Sequence, residues 1–375
     1  MKRSIFRHQV SDSIACCIRA WDRYSGIDLE QHMRIHSIAH RLGEDHVSNE
    51  DVVGMIRDQS TGFSGDLDDA IFKTRKCLDR SGFETRRWMR KEDNLFQEVQ
   101  MCIEQALEGI DRSEIDNVIH VGVGRHFMEP TTSSLIAKRF GLEAHCFDIF
   151  EACQSWTRAM HLLDGLYRGG AIQGKTLVVN CEVHARKGIA GAEHFGLESI
   201  ADLEWKLPTY TMGDSITATV FEADDQAHDW AWKNLPECAD LCYLPLPGAE
   251  DYDCFENMKE FRELTFACRG MELHQAVVPH VIDRAREVLS RGSGFTPDHV
   301  FTHTSSPRAW SRIVGAAGVE GRYSDIARHT GNLVSASIPT AISMAIDSGS
   351  FTRGQEALVL FGSAGASALA YRFRY

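Results

Sequence analysis

From Asn117 to Val183 the chain alternates two patterns: strand Asn117–Gly122, helix Thr132–Phe140, strand Ala144–Phe150, helix Ser155–Arg168 and strand Thr176–Val183. A β-α-β-α-β succession constrains a chain strongly. Parallel strands need long crossovers, and the crossover helices must cover the faces of the sheet they connect. On Ser155–Arg168 the residues Trp156, Ala159, Met160, Leu163 and Tyr167 fall on one side, which marks the buried face of that helix.

A second series follows near Met271. Helix Glu272–Ser290 leads to strand His299–His303, helix Ser306–Ala317, helix Ser335–Ser348 and strands Ala357–Phe361 and Ser367–Phe373. Upstream, Arg34–Ala39 reads as a strand and Ser48-Asn49-Glu50 as a helix start, with a further helix over Asn94–Glu108 and a strand over Ser215–Phe221. The two series share their order of elements, and each carries a polar, chemistry-bearing residue just after a strand. No sequence repeat is legible, so a duplication rests on element order alone. Cys16, Cys17, Trp21 and Tyr24 fall in a segment before these series with no assignable chemistry. The expected organisation is an N-terminal extension over 1–31, one half over 32–225 and a second over 226–375.

Composition narrows the class. At 375 residues with 43% hydrophobic and 25% charged side chains, the chain can bury a large core. No apolar run reaches 18 residues, and the opening MKRSIFRHQVSDS lacks the apolar core of a secretory signal, so a cytoplasmic location is expected. Asp and Glu number 53 against 40 Lys and Arg, and a net charge of −13 disfavours nonspecific nucleic-acid binding. Eleven cysteines then read as reduced thiols. Cys238, Cys242, Cys254 and Cys268 are too irregularly spaced for a zinc site. GVGRHF lacks the third glycine of a dinucleotide loop. Neither a metal nor another cofactor is expected.

Four places could carry chemistry. Cys153 joins strand HCFDIFEA to helix QSWTRAMHLLDGL, and the unpaired N–H groups of a helix start favour a thiolate. His303 ends the strand HVFTH, Asn332 follows a glycine in HTGNLVSASIP, and FGSAG over Phe361–Gly365 offers N–H groups in a tight turn. Each also has an ordinary explanation: a core cysteine, a strand-end histidine, a turn asparagine, a hairpin turn. In an acidic protein the stretch Lys73–Lys91 holds eight Lys or Arg, which suits either a docking face for an acidic partner or a solvated surface.

Taken in order, EACQSW, HTSSPR, GNLVSASIP and FGSAG resemble the β-ketoacyl-ACP synthase III branch of the thiolase superfamily over about residues 32–375. Cys153 and His303 lie 150 positions apart, and His303 and Asn332 lie 29 apart. The resemblance implies the five-layer αβαβα thiolase fold in two pseudo-duplicated halves, a homodimer, and Claisen condensation of acyl thioesters. It makes Cys153 the acyl acceptor, His303 and Asn332 donors to an enolate, and the N–H groups of Cys153 and Ser363 the oxyanion hole. Arg80, in the R-S-G-F turn, together with Arg86 and Arg87, would meet an acyl-CoA or an acyl carrier protein. In RHFMEPTTSS, Glu129 stands before Pro130. This resembles head-to-head condensing thiolases, where a carboxylate there, reaching the partner's tunnel, removes a proton from the acyl α-carbon. Two other readings stay open: acyl transfer from Cys153 to a hydroxyl or amine, and a non-catalytic subunit paired with an active homologue.

Overall fold

A computed structural model describes residues 31–124, 127–185, 191–251, 265–291 and 295–375. Cys16, Cys17, Trp21, Tyr24, nearly all of the expected extension and Cys254 lie outside these residues.

Two five-stranded sheets form the frame. Across the first, the order is His145–Phe150, Ile115–Gly122, Lys175–Glu182, Ser215–Asp224, His32–Leu42; across the second it is Arg322–Tyr323, His299–Thr302, Glu356–Ser363, Ser367–Arg374, Asp229–Asn234. Both run parallel, parallel, antiparallel, antiparallel in those orders. The shared pairing pattern expresses the duplication that element order suggested. It also makes the turn after His145–Phe150, where Cys153 sits, the counterpart of the turn after Arg322–Tyr323, where Asn332 sits.

Burial on both strand faces produces the layers. In Glu356–Ser363, Ala357, Val359 and Phe361 point to one core, and Leu358 and Leu360 to another. This period of two inside a continuous apolar run is what a sheet covered on both sides requires. Helices Leu95–Ala106 and Thr132–Phe140 cover the outer face of the first sheet, through Cys102, Ile103, Ile136 and Phe140. Helices Gly270–Ser290 and Pro307–Ala317 cover the outer face of the second, through Val281, Val288, Trp310 and Ile313. Between the sheets lie Ser155–Arg168 and Ser337–Asp347. The result is the five-layer αβαβα arrangement.

The central helix Ser155–Arg168 is anchored on the face its sequence marks. Trp156, Ala159, Met160, Leu163 and Tyr167 are all buried, and each large side chain so buried contributes about 1.5–3 kcal/mol. Trp156 Nε1 donates to Thr219 Oγ1 at 3.2 Å, and Tyr167 Oη donates to Gly174 O at 2.8 Å, so the polar tips are satisfied as well. This fixes the start of the helix, and with it Cys153, against both sheets.

Several boundaries shift because the ladder or a cap decides them. The first strand extends to His32–Leu42, paired along its length with Ser215–Asp224. Ser48 and Asn94 are N-caps, each accepting a backbone N–H three residues on. The expected helix Ser335–Ser348 is a 3-10 turn over Val334–Ala336 followed by Ser337–Asp347. Among the described residues no helix is long and apolar enough to cross a membrane.

Candidate active site

Three strand ends and one hairpin converge at the middle of the molecule. Cys153 follows Ala152, whose φ of 44° lies in the left-handed region. That conformation costs a non-glycine residue roughly 1–2 kcal/mol. It reverses the chain sharply between strand and helix, so Cys153 stands at the mouth of Ser155–Arg168. Ser155 locks the turn. Its Oγ donates to Gly122 O at 2.7 Å and accepts the Glu151 N–H at 2.7 Å.

The backbone N–H groups of Cys153 and Ala364 both face the Cys153 sulfur. From the hairpin it is thus the N–H of Ala364, one residue beyond Ser363, that reaches the sulfur. Ser363 still belongs to the Glu356–Ser363 ladder, paired with Ser367, and its hydroxyl donates to Ala364 O at 2.9 Å. The tight turn that follows frees the next N–H to point inward. The helix start favours a thiolate, but the surroundings oppose it. Burial, then the Glu182 carboxylate, then Cys268 push the Cys153 thiol up to about 12, and the two N–H groups offset this only in part. At neutral pH Cys153 keeps its proton.

His303 is buried and stacks on Phe361 with ring centroids 4.4 Å apart. Its Nδ1 lies 3.0 Å from Gly362 O. A carbonyl only accepts, so the Nδ1 carries the hydrogen and Nε2 presents a lone pair. Burial lowers its pKa to about 4, against small raising contributions from Gly362 and Asn332, so the ring is neutral at pH 7. Asn332 Oδ1 accepts from Val334 N at 3.1 Å and from Thr304 Oγ1 at 3.4 Å, which leaves its amide N–H groups directed away from those partners, and its side chain lies within hydrogen-bond reach of His303. Thr304 Oγ1 also accepts the Leu333 N–H at 2.7 Å, tying the His303 strand end to the Asn332 turn. Gly331 must be glycine here: φ is 80°, and a Cβ would stand 2.8 Å from Thr211 O and 2.9 Å from Arg86 Cγ.

The sequence does not single out Glu182, yet this buried carboxylate bridges the two halves. Oε1 accepts from Val123 N at 3.1 Å and from the Ser335 hydroxyl, and Ser335 Oγ in turn accepts from Asn180 Nδ2 at 2.7 Å. Oε2 lies 2.5 Å from His184 Nε2. Burial lowers the His184 pKa, but the Glu182 contact and the Asp214 charge together outweigh it and the net shift is upward. A lone glutamate inside an apolar strand, LVVNCEV, was the available signal.

The basic stretch behaves differently from expectation. Arg86 is completely buried; its Nε donates to Tyr210 O at 2.8 Å and its Nη1 to Asn49 Oδ1 at 2.6 Å. Enclosed in this way, it offers no surface to a phosphate or a carrier, and it buttresses the Gly331 turn instead. Arg87 donates to Gly43 O at 2.7 Å, Lys73 pairs with Asp69 at 2.6 Å, Arg75 with Glu50 at 2.7 Å, and Arg90 with Glu44 at 2.9 Å. Of these, Arg86 alone is thus buried, while Lys73, Arg75 and Arg90 pair at the surface. Arg86→Ala is expected to lower unfolding free energy by about 3 kcal/mol, because it strands buried acceptors and removes packing; chemical denaturation measures it.

Arg80, by contrast, is exposed and joins Arg308 and Arg312 around a cavity of about 260 Å³, with His274 and Ser306 also on its wall. These three arginines form no ion pair among the described residues. Arg308 and Arg312, four apart on helix Pro307–Ala317, begin five residues after His303. Glu129 sits elsewhere on the chain, on an exposed loop beside Phe127 and Met128, which are 53% and 83% exposed.

The relatives agree with this frame. Residues 296–375 match the family model described as 3-oxoacyl-[acyl-carrier-protein] synthase III C terminal. The chain is 26% identical over 316 residues to β-ketoacyl-[acyl-carrier-protein] synthase III 1 of Streptomyces coelicolor, covering 76% of this chain and 84% of that one. It is 22% identical over 347 residues to the Clostridium tetani synthase III, covering 89% and 95%. In structure it is similar to Xanthomonas campestris OleA crystallised with lauric acid and lauroyl-CoA, at a TM-score of 0.74 and 17% identity, covering 92% and 99%. Cerulenin-bound OleA matches at 0.71 and 16%, covering 92% and 97%. By its frame, its C-terminal family match and these relatives, the chain is similar to β-ketoacyl-ACP synthase III-type condensing enzymes and shares their thiolase fold.

Proposed function

We propose that Cys153 accepts an acyl group from an acyl thioester and passes it to a carbon nucleophile held by His303 and Asn332. The observation that carries this is the convergence of a sulfur beneath two N–H donors with an imidazole and a carboxamide delivered by the other half of the chain. In the first stage the sulfur attacks the thioester carbonyl carbon. The oxyanion forms toward the Cys153 and Ala364 N–H groups, the carrier's sulfur leaves, and it departs with the proton Cys153 gave up. In the second stage a carbanion attacks the acyl carbon, and the released Cys153 sulfur takes up a new proton: the one removed from the α-carbon of a second acyl thioester or, where CO2 leaves from malonyl-ACP, one from solvent. His303 can donate at Nε2 only after taking a proton there, because burial keeps the ring neutral.

The donor is proposed to be an acyl-CoA or acyl carrier protein. The exposed Arg80, Arg308 and Arg312 around one cavity support a phosphate-bearing carrier. The second substrate is malonyl-ACP or a second acyl thioester. Glu129 supports the latter, because condensation without decarboxylation requires a base. In a homodimer, the exposed Phe127 and Met128 would be covered and Glu129 would enter the partner's site. A role in specialised, fatty-acid- or polyketide-derived metabolism in the cytoplasm belongs to the same reading.

Intact mass spectrometry over a panel of acyl-CoA and acyl carrier protein donors tests it. One acyl mass should be added, mapping to the Cys153 peptide. No adduct with any donor would favour a silent subunit. An adduct that moves only to hydroxyl or amine acceptors would favour the other acyltransferase. Product analysis with and without malonyl-ACP sorts the two condensations. Glu129→Gln should leave acylation intact and slow malonyl-independent condensation at least about 100-fold; an unchanged rate removes Glu129 as the base.

A further inference from the structure

Two cysteines lie near the acyl-accepting sulfur and face each other across a strand pair. Cys242–Tyr243 and Ala267–Cys268 form a two-stranded antiparallel ribbon in which Cys242 lies directly opposite Cys268. The Arg269 N–H donates to Leu241 O at 2.8 Å just beyond that pair. The hydrogen bonds therefore flank the cysteines, and Cys242 and Cys268 occupy a non-hydrogen-bonded site. There, opposed α-carbons stand roughly 4.5 Å apart with side chains closest, within the roughly 4.4–6.8 Å that a disulfide spans. The Cys242 thiol already has the Cys268 sulfur as its hydrogen-bond partner, the largest of the effects that push it well above its ordinary range; burial and then the Cys268 and Cys153 charges add to it. Both are free thiols.

The ribbon touches the site. Phe266, two residues before Cys268, points to the same side by the period of a strand. Phe266 and Cys153 pack against one cluster, with Phe195, Leu197, Tyr210 and Met212. Cys268 is also among the groups whose charge Cys153 feels.

We propose that Cys242 and Cys268 are a reversible dithiol–disulfide pair on the wall of the Cys153 site, oxidised by a hydroperoxide and reset by a dithiol, and that the bridged form slows acylation of Cys153. The balance is simple. One thiol of the pair gives up its proton as its sulfur attacks the peroxide oxygen; the O–O bond breaks, giving a sulfenic acid and releasing water or an alcohol. The second sulfur attacks the sulfenic sulfur, the S–O bond breaks and water leaves. A dithiol such as dithiothreitol returns two electrons and two protons by exchange. Drawing the sulfurs into a bond of about 2.05 Å fixes the ribbon, and with it Phe266, against the nucleophile. An incoming acyl carrier arm then meets a wall that no longer yields.

Hydrogen peroxide treatment of the full chain, followed by intact mass and peptide mapping, should show loss of two hydrogens, a Cys242–Cys268 linkage, and full reversal by dithiothreitol. Cys242→Ser should prevent the linkage, and near-ultraviolet circular dichroism with reduced-form acylation checks that this variant is folded. No linkage, or one that uses Cys153, overturns the pair. This readout needs no acyl donor, so it stands apart from the proposed function. With a donor that acylates the reduced enzyme, the bridged form should react at least about threefold more slowly, a difference of about 0.65 kcal/mol in barrier, and Cys242→Ser should lose this response to peroxide. Equal rates in the two wild-type states overturn the effect on acylation.

Discussion

Replacing Asn332 by alanine is expected to leave acyl-Cys153 formation within about threefold of the wild type while cutting condensation by about 10²–10³-fold, the scale of removing one preorganised donor to developing negative charge. The asymmetry follows from where the side chain is held. Its Oδ1 is committed to Val334 N and Thr304 Oγ1, so the amide nitrogen is the part left to act. The donors at the sulfur are backbone N–H groups of Cys153 and Ala364, which alanine at 332 does not remove. Stopped acylation by mass spectrometry and product formation by chromatography separate the stages. Equal losses in both would place Asn332 in the scaffold of the turn, and no loss in condensation would end the proposal that it stabilises an enolate. Asn332→Asp refines the comparison, since it keeps the Oδ1 acceptor and loses the N–H donor.

That experiment also marks the limit of what the chain's letters disclose. Helices with a capped start or a long apolar face declare themselves: Thr131 and Gly141 bound Thr132–Phe140, and apolar spacing marks Ser155–Arg168. Edge elements do not. Asp229–Asn234 reads DWAWKN, without a continuous apolar run, and becomes a strand because Ser367–Arg374 offers it a ladder. At the site, motif order singled out Cys153, His303 and Asn332, each of which follows a strand or turn legible by itself. Which N–H faces the sulfur was not legible. Ser363 and Ala364 differ by one residue, and a single step along a strand end reverses direction. Charge was the poorest guide. Most of a run of eight basic residues lies at the surface, but Arg86 turned inward to hold the Gly331 turn and others paired locally, while the cavity joins Arg80 of that run to Arg308 and Arg312 of a distant helix. The same holds for Cys153. A helix start argued for a thiolate, but burial and Glu182, which arrives from a different strand, argue more strongly the other way. Long-range electrostatics is a property of the folded arrangement and leaves little trace in sequence spacing.

His303→Ala is expected to slow both stages, by about 10²–10⁴-fold, the range of a positioned proton carrier. Here the two half-reactions should not separate as they do for Asn332. A thiol held near 12 must surrender its proton as it attacks, and the proposed acceptor is the Nε2 lone pair of His303, fixed toward the site because Nδ1–H is bound to Gly362 O. The same nitrogen, once protonated, would donate to the enolate oxygen. The pH dependence carries the sign. Burial sets the folded pKa of His303 near 4, below the roughly 6.5 of an unfolded histidine. Between these values the unfolded chain binds more protons than the folded one, so His303 adds stability as pH rises through that window and costs stability as pH falls through it. Acylation kcat/KM should accordingly be flat with respect to His303 from about pH 5.5 to 7.5 and fall only as pH approaches 4, where the lone pair is lost. Unfolding midpoints followed over the same range should drop below about pH 6.5, and His303→Gln should remove His303's share of that drop. A kinetic pKa near 6.5 that disappears in His303→Gln would show a solvated, ordinary histidine and would overturn the assignment of a buried neutral proton acceptor.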